Sequence, residues 1–205
     1  MIQVADHPLA RHLLTCLRDS CTPPHEFRKL ARTLSTLVVL EATRGLALIP
    51  REVETPVARA QGHELSEPLA VVPVLRAGLS MLEPVLELFP DVAVGYIGLE
   101  RSHETAIAQS YYCKLPRLDG RTALVVDPML ATGGSASQAV RALKSESARK
   151  IVFACIVAAP EGIERLQSDH PDVGIFTAAL DEGLNDRKYI VPGLGDYGDR
   201  LYGTT

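Results

Sequence analysis

Apolar residues recur at helical spacing from the start of the chain. Leu9, Leu13, Cys16 and Leu17 predict a helix from His7 to about Asp19, and Thr22-Pro-Pro24 interrupts it. A second stripe of Phe27, Leu30, Leu34, Leu37 and Val38 predicts a helix from there to about Ala42. Residues 1–45 therefore read as a helical pair whose apolar faces pack on a sheet or on a partner subunit. Beyond a polar connection through Gly62-His-Glu64 the period changes. Short apolar runs now alternate with helical patterns: Leu69–Val74 then Leu79–Leu88; Val92–Leu99; Ala123–Val126 then Ser135–Leu143; Ile151–Val157 then Glu161–Leu166; and finally Val173–Leu180. Runs that are apolar throughout fit strands covered on both faces. Their alternation with helices predicts an α/β fold, a parallel sheet flanked by helices. The tail, rich in glycine and aspartate, reads as ordered loop rather than core.

Composition narrows the picture. A chain of 205 residues, 46% hydrophobic, can bury a substantial core and predicts a single domain over 1–205 with a small appendage. It has no Trp, and its abundant Ala, Val and Leu suit close packing of helices on a sheet. A formal net charge of -4 argues against nucleic acid as a partner, since such binders neutralise many phosphates; a local basic cluster for a small anion remains compatible. Cys16, Cys21, Cys113 and Cys155 are scattered without a C-x-x-C pair, so neither a zinc site nor a disulfide framework is indicated. The amino-terminal residues lack a basic segment followed by an apolar one, and the longest apolar run, Ile151–Pro160, is too short to span a membrane. Together these predict a cytoplasmic location.

The candidate chemistry lies where a strand pattern meets a helix pattern. Ala123–Val126 ends in Asp127, and Thr132-Gly-Gly-Ser135 then opens the next helix. Such a turn aims unpaired N–H groups at one point, adds the positive end of a helix dipole, and lets an anion approach closely over glycine. The Thr132 and Ser135 hydroxyls add donors. Asp127, just ahead of the turn, suits ribose hydroxyls or a bound Mg2+ better than the phosphate itself. Neither a Walker loop nor a Rossmann turn matches, because no lysine follows Gly133-Gly134 and the G-x-G-x-x-G spacing is absent. Arg76, after the Leu69–Val74 strand, and Arg101, after the strand from Val92, fall at the same sheet edge, where guanidinium forks can bind phosphate oxygens. The last informative stretch, Tyr189-Ile-Val-Pro-Gly-Leu-Gly-Asp-Tyr-Gly-Asp-Arg200, has a backbone suited to reading a planar base. A mismatch of donors and acceptors against fixed backbone partners costs roughly four to five orders of magnitude in specificity.

The segment Asp127-Pro-Met-Leu-Ala-Thr-Gly-Gly-Ser135 resembles the phosphoribosyl-diphosphate (PRPP) loop of type I phosphoribosyltransferases, and its wording is similar to that of the uracil phosphoribosyltransferases. Pro128 stands where the wider superfamily has a second acid, which fits the uracil branch. His7-Pro-Leu9, Phe27-Arg28, Ala158-Ala-Pro-Glu-Gly162, Gly183-Leu-Asn185 and Pro192-Gly-Leu-Gly-Asp196 extend the resemblance over nearly the whole chain. It implies transfer of a phosphoribosyl group to uracil, giving UMP and pyrophosphate, with Mg2+ as cofactor. By resemblance Arg76, Arg101, Asp127, Pro128, Met129, Leu130, Ala131, Thr132, Gly133, Gly134, Ser135 and Asp196 bind PRPP. Ile190, Gly195, Asp196 and Tyr197, in the tail 185–205, bind uracil. Asp127, Arg101 and Asp196 are the candidate catalytic residues, Asp196 as the base for uracil N1. Ser102 and His103 depart from the family's usual wording beside Arg101, and Tyr197 is expected to tighten the pocket wall. Tyr111-Tyr-Cys-Lys-Leu-Pro116 looks like the family's arm over the site. A homodimer or higher homo-oligomer is implied, with GTP as a candidate effector. Three alternatives stay open: a phosphoribosyltransferase for a purine base or orotate, a non-catalytic PRPP- or UMP-sensing regulator that binds RNA, and a degenerate relative that keeps the loops for ligand-dependent assembly. Pro128 and the Gly-Asp-Tyr tail weigh against the first, acidity against the second, and the intact Arg76, Arg101, Asp127 and Asp196 against the third.

Overall fold

The computed structural model describes residues 1–101 and 108–204. In chain order the elements are β1 (Ile2–Val4), α1 (Pro8–Arg18), α2 (Pro24–Thr43), β2 (Leu48–Glu54), β3 (Arg59–Leu65), β4 (Leu69–Leu75), α3 (Leu79–Leu88), β5 (Ala93–Val94), β6 (Tyr96–Arg101), β7 (Ala108–Lys114), β8 (Thr122–Val126), β9 (Met129–Leu130), α4 (Gly134–Ser145), β10 (Lys150–Ala158), α5 (Pro160–Asp169), β11 (Gly174–Leu180), β12 (Gly183–Leu184), β13 (Ile190–Val191) and α6 (Tyr197–Tyr202). The main sheet has the order β1-β11-β10-β8-β4-β6-β7, parallel throughout except for the β6–β7 pair.

Strands β4, β8 and β10 are buried nearly end to end because helices cover both faces. Alternate side chains divide between two cores. Val71, Leu124 and Ala154 pack under α1, α2 and α3, whereas Ala70, Val72, Val125 and Phe153 pack under α4 and α5. Burying side chains the size of Val, Leu or Phe contributes about 1.5–3 kcal/mol each, so these two layers supply the main drive to fold. From β4 the chain moves outward to β6, then returns to β8 on β4's other side and continues outward through β10 and β11. The loops after β4 and β8 thus diverge at a topological switch point, the crevice that open parallel sheets use for ligands.

Four features depart from the sequence pattern. The polar connection before Leu69 is instead a two-stranded antiparallel hairpin, β2–β3, exposed along both strands and so without an apolar alternation to reveal it. The run Val92–Leu99 is split at Gly95, whose N–H donates to the Val71 carbonyl at 2.9 Å. Strand β1, only three residues long, adds an edge to β11. The tail is not simply loop: α6 closes it, and Leu194, Tyr197 and Leu201 are buried in the core beneath α2. Residues 111–114 of the expected arm lie in β7, an antiparallel edge strand. No described helix is long and apolar enough to cross a membrane.

Candidate active site

The turn after β8 has the form its sequence suggests. Gly133 caps α4 at a left-handed φ of 74°, with no side-chain cap hydrogen bond among the described residues. The N–H groups there remain free to meet an anion. The close approach is built from two sides. A Cβ on Gly133 would lie 2.7 Å from the Gly162 carbonyl oxygen, and one on Gly162 would lie 2.5 Å from that of Ala131. Gly162, on α5, is therefore part of the architecture of the turn although it does not line it. A cavity of about 50 Å³ lies inside the turn, walled by Asp127 and residues 129–136. Among the described residues no partner engages the Thr132 or Ser135 hydroxyl. Pro128, the residue in the second acidic position, uses its carbonyl to accept from the N–H groups of Ile156 and Val157 at 2.9 and 3.1 Å, binding the turn to β10.

Asp127 leaves the carboxyl end of β8 with its N–H donating to the Ala154 carbonyl at 3.1 Å. Burial pushes its carboxyl up to about 7; the Met129 N–H, 3.4 Å from Oδ1, pulls more weakly the other way. Beneath it, burial pushes the Cys155 thiol up to about 12, which leaves that cysteine an inert core residue. Arg76 follows β4 across the switch point, exposed, and its carbonyl accepts from the Tyr202 hydroxyl at 3.5 Å. In the register of β4 with β6, Leu75 stands opposite Gly98, so Arg101 ends β6 three residues further along the same edge. Ser102 and His103 lie outside the described residues.

A second cavity, of about 450 Å³, adjoins the turn and shares Met129 and Ala131 with it. Its far walls are Ile190, Gly195, Asp196 and Tyr197, the tail residues singled out for a base. Tyr197 itself is 3% exposed: its ring meets Phe27 edge-on at 5.2 Å between centroids, and its hydroxyl lies 2.9 Å from that of Ser80. Its side chain is thus invested in the core, and burial also holds the phenol above its ordinary pKa. Asp196 is the N-cap of α6, its Oδ1 accepting the Asp199 N–H at 3.0 Å. That explains the aspartate locally.

Two charged residues at this cavity, Arg187 and Lys188, escaped the sequence reading. Arg187, Lys188 and Tyr189 line it from a tight turn in which the Asn185 Oδ1 accepts from the N–H groups of Arg187 and Tyr189, both at 3.0 Å. Asn185-Asp-Arg-Lys188 is a turn pattern carrying two cations, and that was the available signal. The supports of the tail were also missed. Arg200 donates to the carbonyls of Leu17, Leu194 and Asp19 and sits over the Phe27 ring at 4.5 Å, while Arg28 donates to the Leu201 carbonyl at 2.8 Å. The amino-terminal helices therefore brace the tail.

Comparison with known proteins gives similarity along nearly the whole chain. The family model described as uracil phosphoribosyltransferase matches residues 4–204. A uracil phosphoribosyltransferase of Dictyoglomus turgidum is 54% identical over 206 residues, covering 100% of both chains. Among solved structures, the AQ2163 protein from Aquifex aeolicus superposes with a TM-score of 0.95 at 40% identity, covering 100% of this chain and 99% of that one. The orotate phosphoribosyltransferase of Mycobacterium tuberculosis, solved with PRPP, gives a TM-score of 0.51 at 13% identity over 87% of this chain and 95% of its own, a likeness of fold alone.

Proposed function

The chain belongs to the uracil phosphoribosyltransferase family, and from that membership we infer that it joins uracil N1 to C1 of PRPP, forming UMP and releasing pyrophosphate. It is a pentosyltransferase of type I fold. The observation that carries the reading is the continuity of the two cavities: a turn suited to a phosphate and a tail suited to a base meet at Met129 and Ala131.

In this reading the Thr132–Ser135 turn holds the 5-phosphate, Asp127 the ribose hydroxyls, and Arg76 and Arg101 the diphosphate. Breaking the C1–O bond ahead of bonding to N1 places positive charge on the ribose and negative charge on the leaving group. Fixed charges and dipoles then lower the barrier by position rather than by covalent chemistry. The family implies Mg2+. Asp127 is the carboxylate that would face such an ion, and PRPP itself would supply most of the ion's oxygen ligands. Bound with PRPP, Mg2+ would supply charge neutralisation for the pyrophosphate. Exposed apolar residues on the hairpin, among them Leu48, Ile49 and Leu65, support a homodimer or higher assembly. A cytoplasmic location belongs to the same reading, and GTP remains a candidate effector.

Chromatography of nucleotides formed from PRPP and Mg2+ with uracil, cytosine, hypoxanthine or orotate tests the assignment. UMP from uracil alone is expected; product from a purine or from orotate in preference would overturn it. The role of Asp196 separates in the same assay. Asp196→Asn keeps an acceptor for the Asp199 N–H, so stability should change by less than about 0.5 kcal/mol. If the carboxylate takes the N1 proton, turnover falls about 10²-fold or more. Unchanged turnover would leave Asp196 a helix cap only.

A further inference from the structure

The tail segment between the two base-facing stations, Ile190 and Gly195, is held by an ion pair that does not line the cavity. Arg18, the last residue of α1, donates from Nη2 to Asp181 Oδ1 at 2.5 Å and from Nη1 to Asp181 Oδ2 at 2.9 Å. The same Nη1 donates to the Gly193 carbonyl at 2.9 Å, and the Gly193 N–H donates to Asp181 Oδ2 at 2.8 Å. Both polar groups of Gly193 are thereby tied to one fork-on-fork pair. Only a glycine can take the position: φ is +59°, and a Cβ would stand 2.1 Å from the Ile190 carbonyl oxygen. Asp181 has a side chain 4% exposed and Arg18 one 25% exposed, so the pair is shielded from water and from salt.

We propose that Arg18 and Asp181 are positioning residues for base recognition, fixing the Gly193 peptide and through it the spacing of Ile190 from Gly195 and Tyr197. This rests on the assignment of uracil to that tail. Recognition by backbone groups depends on where the backbone is held. A shift of a few tenths of an ångström in the 190–195 segment would weaken every hydrogen bond to the base while leaving the turn at 132–135 intact. An arginine is needed because a single planar fork spans a carboxylate and a carbonyl at once. Lysine supplies one point charge and cannot.

The test uses two conservative variants of the full chain, because removing one partner of a shielded pair outright is strongly destabilising. Arg18→Lys keeps the charge and gives up the fork. Asp181→Asn keeps an acceptor for the Gly193 N–H and gives up the charge. For each, KM for uracil, KM for PRPP, kcat and the melting temperature are measured. KM for uracil should rise about tenfold or more, the effect of losing one charge-assisted contact, with KM for PRPP within about twofold of the parent. The preference for uracil over cytosine should fall in the same variants. A merely structural pair would lower the melting temperature and the active fraction, hence kcat, while both KM values stayed put. That result, an unchanged KM for uracil in a folded variant, or failure of both variants to fold would overturn the proposal. An inactive parent chain would instead sink the assignment of uracil itself, so the two failures are distinguishable.

Discussion

Asp127→Asn lowers kcat/KM for UMP formation by about 10²- to 10³-fold and at the same time makes the folded chain more resistant to heat at pH 8. Both effects follow from one burial. In the proposed reading the carboxylate accepts from ribose hydroxyls and faces the positive charge that grows on the ribose, and loss of one preorganised electrostatic group typically costs a factor of that size. An amide keeps the shape and forfeits the charge. The stability effect has the opposite sign because the folded protein raises this carboxyl from 3.8 to about 7. Below pH 3.8 both folded and unfolded chains hold the proton, and the group is neutral to stability. As pH rises from there, the unfolded chain ionises first and gains, so the folded state is penalised progressively until about pH 7 and by a constant amount above it. The full shift corresponds to on the order of 4 kcal/mol. If half of that survives structural relaxation, the variant should melt about 4–8 °C higher than the parent at pH 8, with the gap closing towards pH 4. In the unliganded enzyme the same ionisation should appear as a fall in kcat/KM below about pH 7. Equal melting temperatures at both pH values would show that the carboxylate carries no burial penalty.

Gly133→Ala raises KM for PRPP by about 100-fold or more while affecting KM for uracil much less. Alanine at a φ of 74° costs about 1–2 kcal/mol in backbone strain alone. Its methyl would also stand 2.7 Å from the Gly162 carbonyl oxygen, a backbone atom that cannot swing aside. The turn must move, and with it the N–H groups aimed at the 5-phosphate. Total destabilisation should reach about 2–4 kcal/mol, read as a lower midpoint in urea. Gly162→Ala provides the control from the opposite side. Its methyl would press on the Leu130 and Ala131 carbonyls at 2.6 and 2.5 Å, so it should reproduce the loss of PRPP affinity without lining the phosphate cavity. A Gly133→Ala chain with unchanged KM for PRPP would mean that the 5-phosphate binds elsewhere.

The parallel sheet was legible because β4, β8 and β10 are covered on both faces and therefore write themselves as unbroken apolar runs. The turn after β8 was legible because left-handed backbone at a helix start demands glycine, so Gly133 advertises its own conformation. The β2–β3 hairpin was not, since strands exposed on both faces carry no period-two signal. The tail failed for a different reason. Leu194, Tyr197 and Leu201 are too widely spaced among glycines to form an apolar stripe, and their burial depends on α2, which is remote in sequence. The same remoteness hid the braces. Arg18 and Asp181 are 163 residues apart, and Arg200 reaches Leu17 across 183. Local patterns reveal the turns; they do not reveal which distant side chains hold them still.

The most direct measurement is a structure of the chain with UMP bound, because UMP places a base and a 5-phosphate on one rigid ribose. The account predicts phosphate oxygens about 3 Å from backbone N–H groups of the Thr132–Ser135 turn, ribose hydroxyls at Asp127, and the uracil edge against the backbone of Ile190 and Gly195–Tyr197. UMP with its phosphate away from that turn, or its ring outside the tail, would contradict a single continuous site.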